Sequence, residues 1–134
     1  MRPPILKKDL LYPELSYDLV DCAYTIYDEL GPGHMEKVYQ KAMAITLKEK
    51  GLSFIEQIQY PVKFRGEIIG NGKLDFLVEG KIIVELKKDD LFSKANIEQV
   101  LNYMKLTNCR LGILLNFAHR KLQFKRIVNI YDCS

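Results

Sequence analysis

The sequence has no paired cysteines, no long apolar run and no strong excess of either charge. Its three cysteines, Cys22, Cys109 and Cys133, are odd in number and form no CxxC pair, so we expect reduced thiols and neither a disulfide nor a zinc site. The N-terminus carries prolines and charges where a signal peptide has an apolar core, and no run approaches the roughly 20 apolar residues of a membrane span. These absences predict a soluble, cytoplasmic protein that does not contact a membrane.

The charge balance does not identify a partner, whereas the absence of several motifs argues against the activities that depend on them. The chain has 20 Lys and Arg against 17 Asp and Glu, a formal net charge of +3, which is too small to identify a nucleic-acid binder by electrostatics alone. It has no Walker loop, no dinucleotide fingerprint and no Gly-x-Ser-x-Gly elbow. Its 134 residues, 48% of them hydrophobic, are ordinary for one globular domain with a single core.

Hydrophobic periodicity predicts three helices and five strands in the order ααβββαββ. The helices should span about residues 14–30, 34–50 and 93–107, with exits at Gly31, Gly51 and Asn108 and Ser93 as the N-cap of the third. The strands should span about residues 54–64, 73–78, 82–87, 111–115 and 121–128, and Pro61 indicates an edge or a bulge in the first. The almost wholly apolar fourth strand predicts cover on both faces.

This order implies a mixed sheet. A helix between the third and fourth strands requires a parallel connection inside an otherwise antiparallel sheet. We therefore expect an α/β (α+β) fold in which helices flank one mixed β-sheet. The sequence shows no repeat, linker or low-complexity segment, which predicts a single domain over residues 1–134 with residues 1–13 as an N-terminal extension.

Two carboxylates and an amine occur in the hairpin formed by the second and third strands. Asp75 lies on one strand, and Glu85 and Lys87 lie on one face of the other, because alternate side chains of a strand point the same way. A loop with an odd number of residues, such as a type I turn with left-handed Gly80, places Asp75 on the side of Glu85 and Lys87. A two-residue loop places Asp75 opposite Val84 instead.

In the odd register these residues suit a divalent metal site. The carboxylates of Asp75 and Glu85 and the backbone carbonyl of Leu86 are hard oxygen ligands appropriate to Mg²⁺ or Mn²⁺. A water activated there is the candidate nucleophile, and Lys87 would orient it or stabilise charge on a phosphate. The alternative is that Lys and Glu simply alternate on a half-exposed strand.

The segment GHMEKVY, residues 33–39, opens the second helix with a G-x-x-E-x-x-Y pattern. It resembles the GxxExxY family, a branch of the PD-(D/E)XK nuclease superfamily. The resemblance extends over most of residues 30–128, through LGPGHMEKVYQKAMAITLKEKGL, GKLDFLVEGKIIVELKK, EQVLNYMKLTNCRLGILLNF and the closing KRIV. It implies a restriction-endonuclease-like core in which Asp75, Glu85 and Lys87 are the acidic pair and lysine of the superfamily.

The resemblance also makes Glu36 and Gln99 supporting members of the catalytic set, with Glu36 as a further acid of the metal shell. Gln99 and Tyr103 are four residues apart on one helix face, and Glu36 and Tyr39 are three apart, so the two tyrosines are candidate substrate contacts. Each has another explanation, since the helix dipole favours Glu36 in a first turn and tyrosines often pack with wet hydroxyls.

The implied function is metal-dependent hydrolysis of phosphodiester bonds in nucleic acid, with DNA as the expected substrate and Mg²⁺ or Mn²⁺ as the cofactor. The alternative is a nucleic-acid-binding or protein-interaction module that keeps this fold without turnover. A homodimer is the assembly that small nucleases of this architecture often form. Scattered basic residues are usually a solvated face, but seven of them could contact phosphates: Lys7, Lys8, Lys88, Arg120, Lys121, Lys125 and Arg126.

Overall fold

The computed structural model describes residues 11–129. In these residues three helices and five strands follow one another in the predicted order ααβββαββ. The elements are α1 (Pro13–Leu30), α2 (Glu36–Glu49), β1 (Phe54–Phe64), β2 (Glu67–Val78), β3 (Ile82–Lys87), α3 (Lys94–Thr107), β4 (Leu111–Phe117) and β5 (Leu122–Val128).

The strands form one mixed sheet in the order β1-β2-β3-β4-β5. The pair β3–β4 is parallel and is joined through α3, whereas the other three pairs are antiparallel. Every residue of β4 is buried, as expected for a strand covered on both faces. Strand β1 is an edge strand that contains Pro61, and its register with β2 shifts between Val62 and Lys63. The predicted mixed sheet flanked by helices is confirmed.

Apolar side chains cover both faces of the central strands of the sheet, whereas β1 and the first half of β2 are mostly exposed. On the α1/α2 face, residues of α1 and α2 such as Leu19 and Met43 pack on Phe76 and Ile113. On the α3 face, residues of α3 such as Val100 pack on alternate sheet residues. Burial of each large apolar side chain contributes roughly 1.5–3 kcal/mol, so the central strands are held between two helical layers.

The helix ends follow the predicted signals, with one correction. Gly31 ends α1 with a φ of 69°. The Ser93 hydroxyl accepts a hydrogen bond from the N–H of Asn96 at 3.0 Å, and Asn108 ends α3 with a φ of 58°. Helix α2 begins at Glu36 rather than near residue 34, because Met35 is extended, with φ −68° and ψ 151°.

Strand β2 is longer than predicted. It begins at Glu67 instead of residue 73, because pairing with β1 overrides the low strand propensity of Gly70, Asn71 and Gly72. A Cβ at Gly72 would lie 2.8 Å from a ring carbon of Tyr103. The glycine therefore permits the close approach of α3 to β2.

Some predictions fall on residues outside the described range. These are most of the N-terminal extension, including Lys7 and Lys8, and Cys133. Within the range, Cys22 and Cys109 are buried free thiols. No helix between residues 11 and 129 has the length and apolar character of a membrane span.

Candidate functional site

The register of the β2–β3 hairpin determines where Asp75 lies. Val78 pairs with Ile82 and Phe76 pairs with Val84, which leaves a three-residue loop. Glu79 and Gly80 have φ values of 54° and 65°, and the N–H of Lys81 bonds the carbonyl of Val78 at 3.0 Å. Positive φ at both central residues is typical of a type I′ turn, not the type I turn that the sequence suggested. The register is nevertheless the odd one, so Asp75 is level with Glu85.

The two carboxylates bind the main chain of each other's strand. The N–H of Asp75 donates to Oε1 of Glu85 at 2.9 Å, and the N–H of Leu86 donates to Oδ2 of Asp75 at 2.9 Å. The electrostatic interaction between the two carboxyl groups also affects the pKa of each of them. The structure thus brings Asp75 and Glu85 into contact at the point where β2 and β3 cease to pair.

Burial shifts the pKa of both acids upward. Glu85 is only 3% exposed, and burial together with the charge of Asp75 raises its pKa to about 8. Burial also raises the pKa of Asp75, against the opposing effects of the Leu86 N–H and the Lys87 ammonium. Glu85 is buried and Asp75 is half-buried, and two neighbouring like charges withdrawn from water cannot both ionise cheaply, so the metal-free pair retains a proton at neutral pH.

A cleft of about 360 Å³ opens over this pair. It lies between the first turns of α2, the start of α3, the end of β3 and the parts of β1 and β2 around Gln57 and Asp75. Eleven residues line it: Glu36, Lys37, Gln40, Lys41, Gln57, Lys73, Asp75, Glu85, Leu86, Lys87 and Gln99. The structure therefore collects at one cleft all five residues that the sequence analysis assigned to the catalytic set.

The donors at the cleft fit a hydrated divalent cation. Loss of solvent raises the pKa of Glu36, with a smaller contribution from the charge of Asp75 and an opposing one from Lys87. Among residues 11–129, no group of three or more His, Cys, Asp or Glu side chains is arranged to hold a metal ion. Mg²⁺ is commonly held by only one or two carboxylates while it keeps several waters, so the contacting pair and the Leu86 carbonyl are a chemically suitable donor set.

Neither tyrosine that the sequence proposed for substrate binding lines the cleft. Tyr39 is fully buried, its hydroxyl donates to the carbonyl of Gly31 at 2.7 Å, and its ring stacks on Phe117 at 4.2 Å. Tyr103 is 5% exposed, and its hydroxyl accepts hydrogen bonds from the N–H of Lys73 at 2.8 Å and from Nε2 of Gln99 at 3.4 Å. Tyr39 is thus a core residue, and Tyr103 supports the wall of the cleft.

The basic residues at the cleft differ from those that the sequence suggested. Lys88 is half-buried after the end of β3, and it does not line the cleft. The same holds for the other suggested residues within the described range: Arg120, Lys121, Lys125 and Arg126. Three other lysines accompany Lys87 there: Lys37, Lys41 and Lys73.

Sequence reasoning also missed Gln40 and Gln57. A signal was available for Gln40, because it follows Glu36 by four residues and so shares a helix face with it. The same spacing joins Lys37 to Lys41. For Gln57 there was no such signal, since its place at the cleft depends on the pairing of β1 with β2.

Comparison with solved structures supports the fold. The crystal structure of SSO0001 superimposes with a TM-score of 0.57 at 16% sequence identity, over 90% of this chain and 59% of that one. The chain thus spans less than two thirds of the length of that structure, and at this identity the likeness shows the fold alone. No curated protein matches the sequence.

Comparison with family models identifies the superfamily. The model of the PD-(D/E)XK nuclease superfamily matches residues 13–127, which include the cleft and every helix and strand from α1 to β5 except the last residue of β5. The narrower assignment to the GxxExxY branch stays a prediction. Since the match covers most of its length, the chain belongs to the PD-(D/E)XK nuclease superfamily.

Proposed function

We propose that this protein is a metal-dependent nuclease that hydrolyses phosphodiester bonds in nucleic acid, with DNA as its substrate. The observation that carries the proposal is that the Asp75 and Glu85 carboxyl groups each accept a hydrogen bond from the main chain of the other's strand, at the floor of a lysine-lined cleft. Burial and the charge of Asp75 raise the pKa of Glu85, and burial raises the pKa of Asp75, so keeping both acids ionised destabilises the fold. A cation bound between them removes that cost, which gives the arrangement a chemical purpose.

The residues divide into those that hold the cation and those that act on substrate. Asp75, Glu85 and the Leu86 carbonyl would hold Mg²⁺ or Mn²⁺, with Glu36 as a further acid at the rim. When bound, the ion supplies Lewis-acid activation of water and of the phosphodiester. Lys87 extends into the same cleft, where its ammonium can orient the attacking water or donate to a phosphate oxygen in the transition state.

Substrate contacts follow from the charges on the cleft walls. Lys37 and Lys41 project from α2, and Lys73 projects from β2. Ammonium groups on two walls attract the phosphate backbone and release its counterions. Gln99, which donates to the Tyr103 hydroxyl, would support the cleft rather than transfer a proton.

A cleavage assay with isosteric variants tests the proposal. Linear, nicked, single-stranded and branched DNA, with an RNA counterpart, are incubated with Mg²⁺ or Mn²⁺ and with EDTA. We expect metal-dependent cutting by wild type, and a loss of about 10²–10³-fold in Lys87→Met. Asp75→Asn keeps an acceptor for the Leu86 N–H and should fold, yet lose both metal binding and cutting. Lys105→Met, an exposed change on α3, is the matched control.

The same assay, with a measurement of DNA binding, decides between the nuclease and the non-catalytic module. Wild type that binds DNA without cutting any substrate under any metal condition would refute the nuclease and favour the module. A second measurement, light scattering of the purified chain with and without DNA, tests the homodimer, which stays a prediction.

A further inference from the structure

The pairing of β1 with β2 is interrupted at the residue that carries the first acid. The rungs run from Phe54↔Val78 to Glu56↔Phe76 and resume at Ile58↔Leu74. The rung between them, where Gln57 is level with Asp75, is missing. Gln57 has a φ of 57°, a left-handed conformation that costs a residue with a Cβ roughly 1–2 kcal/mol.

The side chains of β2 confirm that the strand is irregular at Asp75. Phe76 and Val78 pack on the α1/α2 face, whereas Leu74 packs on the α3 face. In a regular strand these three alternate residues would share one face. The main chain therefore changes its orientation at Asp75, so its position there requires support beyond the β1–β2 ladder.

Two side chains provide support at this point. The N–H of Asp75 donates to Glu85, as described above, and the carbonyl of Asp75 accepts a hydrogen bond from Nε2 of Gln40 at 3.3 Å. The same Nε2 lies 3.4 Å from Oε2 of Glu56 on β1. Gln40 thus connects α2 to both strands at the missing rung.

From this geometry we infer that Gln40 is a positioning residue of the site. Its amide holds the Asp75 main chain in place. It also sets the distance between Asp75 and Glu85 and the face of α2 that carries Glu36. The inference rests on the proposed function insofar as the positioned groups bind a metal. A primary amide suits the task because it has two N–H donors for two acceptors. A carboxylate at the same position would offer no donor and would repel Glu56.

Two variants distinguish a role of Gln40 in positioning the site from a role in stabilising the fold alone. Gln40→Met keeps the length of the side chain and removes its donors. The double variant Gln40→Glu with Glu56→Gln restores a hydrogen bond between α2 and β1 but leaves the Asp75 carbonyl without a donor. Gln59→Met, an exposed change of the same kind on β1, is the control.

Manganese affinity measured by calorimetry is the first readout. Gln40→Met should bind Mn²⁺ about tenfold more weakly than wild type, as expected when a residue that orients a ligand is lost. The double variant should regain the melting temperature of wild type without regaining its Mn²⁺ affinity. Affinity equal to wild type in Gln40→Met, or full recovery in the double variant, would overturn the inference.

Amide hydrogen exchange of the metal-free protein is the second readout. The amides of Asp75 and Leu86 should exchange about three- to tenfold faster in Gln40→Met, which corresponds to the loss of one hydrogen bond, while amides of α1 keep their wild-type rates. If wild type itself binds no Mn²⁺, the proposed function fails, and unchanged exchange at Asp75 and Leu86 would refute the role of Gln40 separately.

Discussion

Replacement of Glu85 by Gln should stabilise the metal-free protein at alkaline pH. The glutamine keeps the acceptor oxygen that the Asp75 N–H uses, and its amide mimics a protonated acid. It removes the charge that burial and Asp75 disfavour. The variant should therefore be more stable than wild type wherever Glu85 would otherwise have to ionise, although it is expected to lose metal binding.

The sign and the size of the effect follow from proton linkage. The pKa of Glu85 is about 8 in the folded protein, against an ordinary value of 4.5. Between these two pH values the folded state binds a proton that the unfolded state has released, so stability falls as pH rises and the loss is complete above about 8. A shift of about 3.5 pH units corresponds to at most about 5 kcal/mol, and sharing of the proton with Asp75 reduces it, so we expect roughly 2–4 kcal/mol.

Urea unfolding from pH 5 to pH 9 in EDTA measures this difference. Wild type should lose stability relative to Glu85→Gln across that interval, whereas the exposed change Glu98→Gln should leave the pH profile of wild type unaltered. Added Mg²⁺ should restore the stability of wild type at pH 8 and leave the stability of Glu85→Gln unchanged, because only a site with both carboxylates is stabilised by binding the ion. Parallel profiles for wild type and Glu85→Gln would refute the charge repulsion on which the proposed site depends.

Three further predictions test the elements that support the cleft. Gly72→Ala should destabilise the protein by about 1–3 kcal/mol through contact with the Tyr103 ring. Gly70→Ala is the control, because a Cβ at Gly70 meets nothing within 4 Å, and equal melting temperatures of the two variants would contradict the prediction. Gln57→Gly should raise the unfolding free energy by roughly 1 kcal/mol, since glycine adopts positive φ freely. A melting temperature below that of wild type would show that the φ of Gln57 carries no strain. Ser93→Ala should cost about 1 kcal/mol through loss of the N-cap of α3, and chemical denaturation that detects no change would disprove it.

Local sequence signals were sufficient for the order and type of the elements. Ser93 and Asn108 mark the ends of α3 because a side-chain acceptor and a left-handed residue satisfy helix termini within a few residues of the chain. The all-apolar run of β4 likewise indicated burial on both faces. The start of α2 and the first half of β2 were wrong, since their limits depend on the extended Met35 and on pairing with β1.

The candidate acids were readable from the sequence, but their contact was not. The pattern left two hairpin registers open, and the observed one places Phe76 opposite Val84, with both in the core of the α1/α2 face. A slip of one residue would turn the strand's apolar side chains toward the opposite face. Burial of β3 and of the second half of β2 therefore selects the register, and the register brings Asp75 to Glu85.

By itself, the sequence determined the order and type of the helices and strands, the candidate set of Asp75, Glu85 and Lys87, and the resemblance to a nuclease superfamily, because these depend on short-range periodicity and spacing. Only the tertiary structure decided that Tyr39 is buried against Phe117, that Gln40 reaches Asp75 and that the pKa of Glu85 is raised. Each of these depends on residues from different elements that meet only when helices pack on the sheet, and on the water that this packing excludes from the cleft floor.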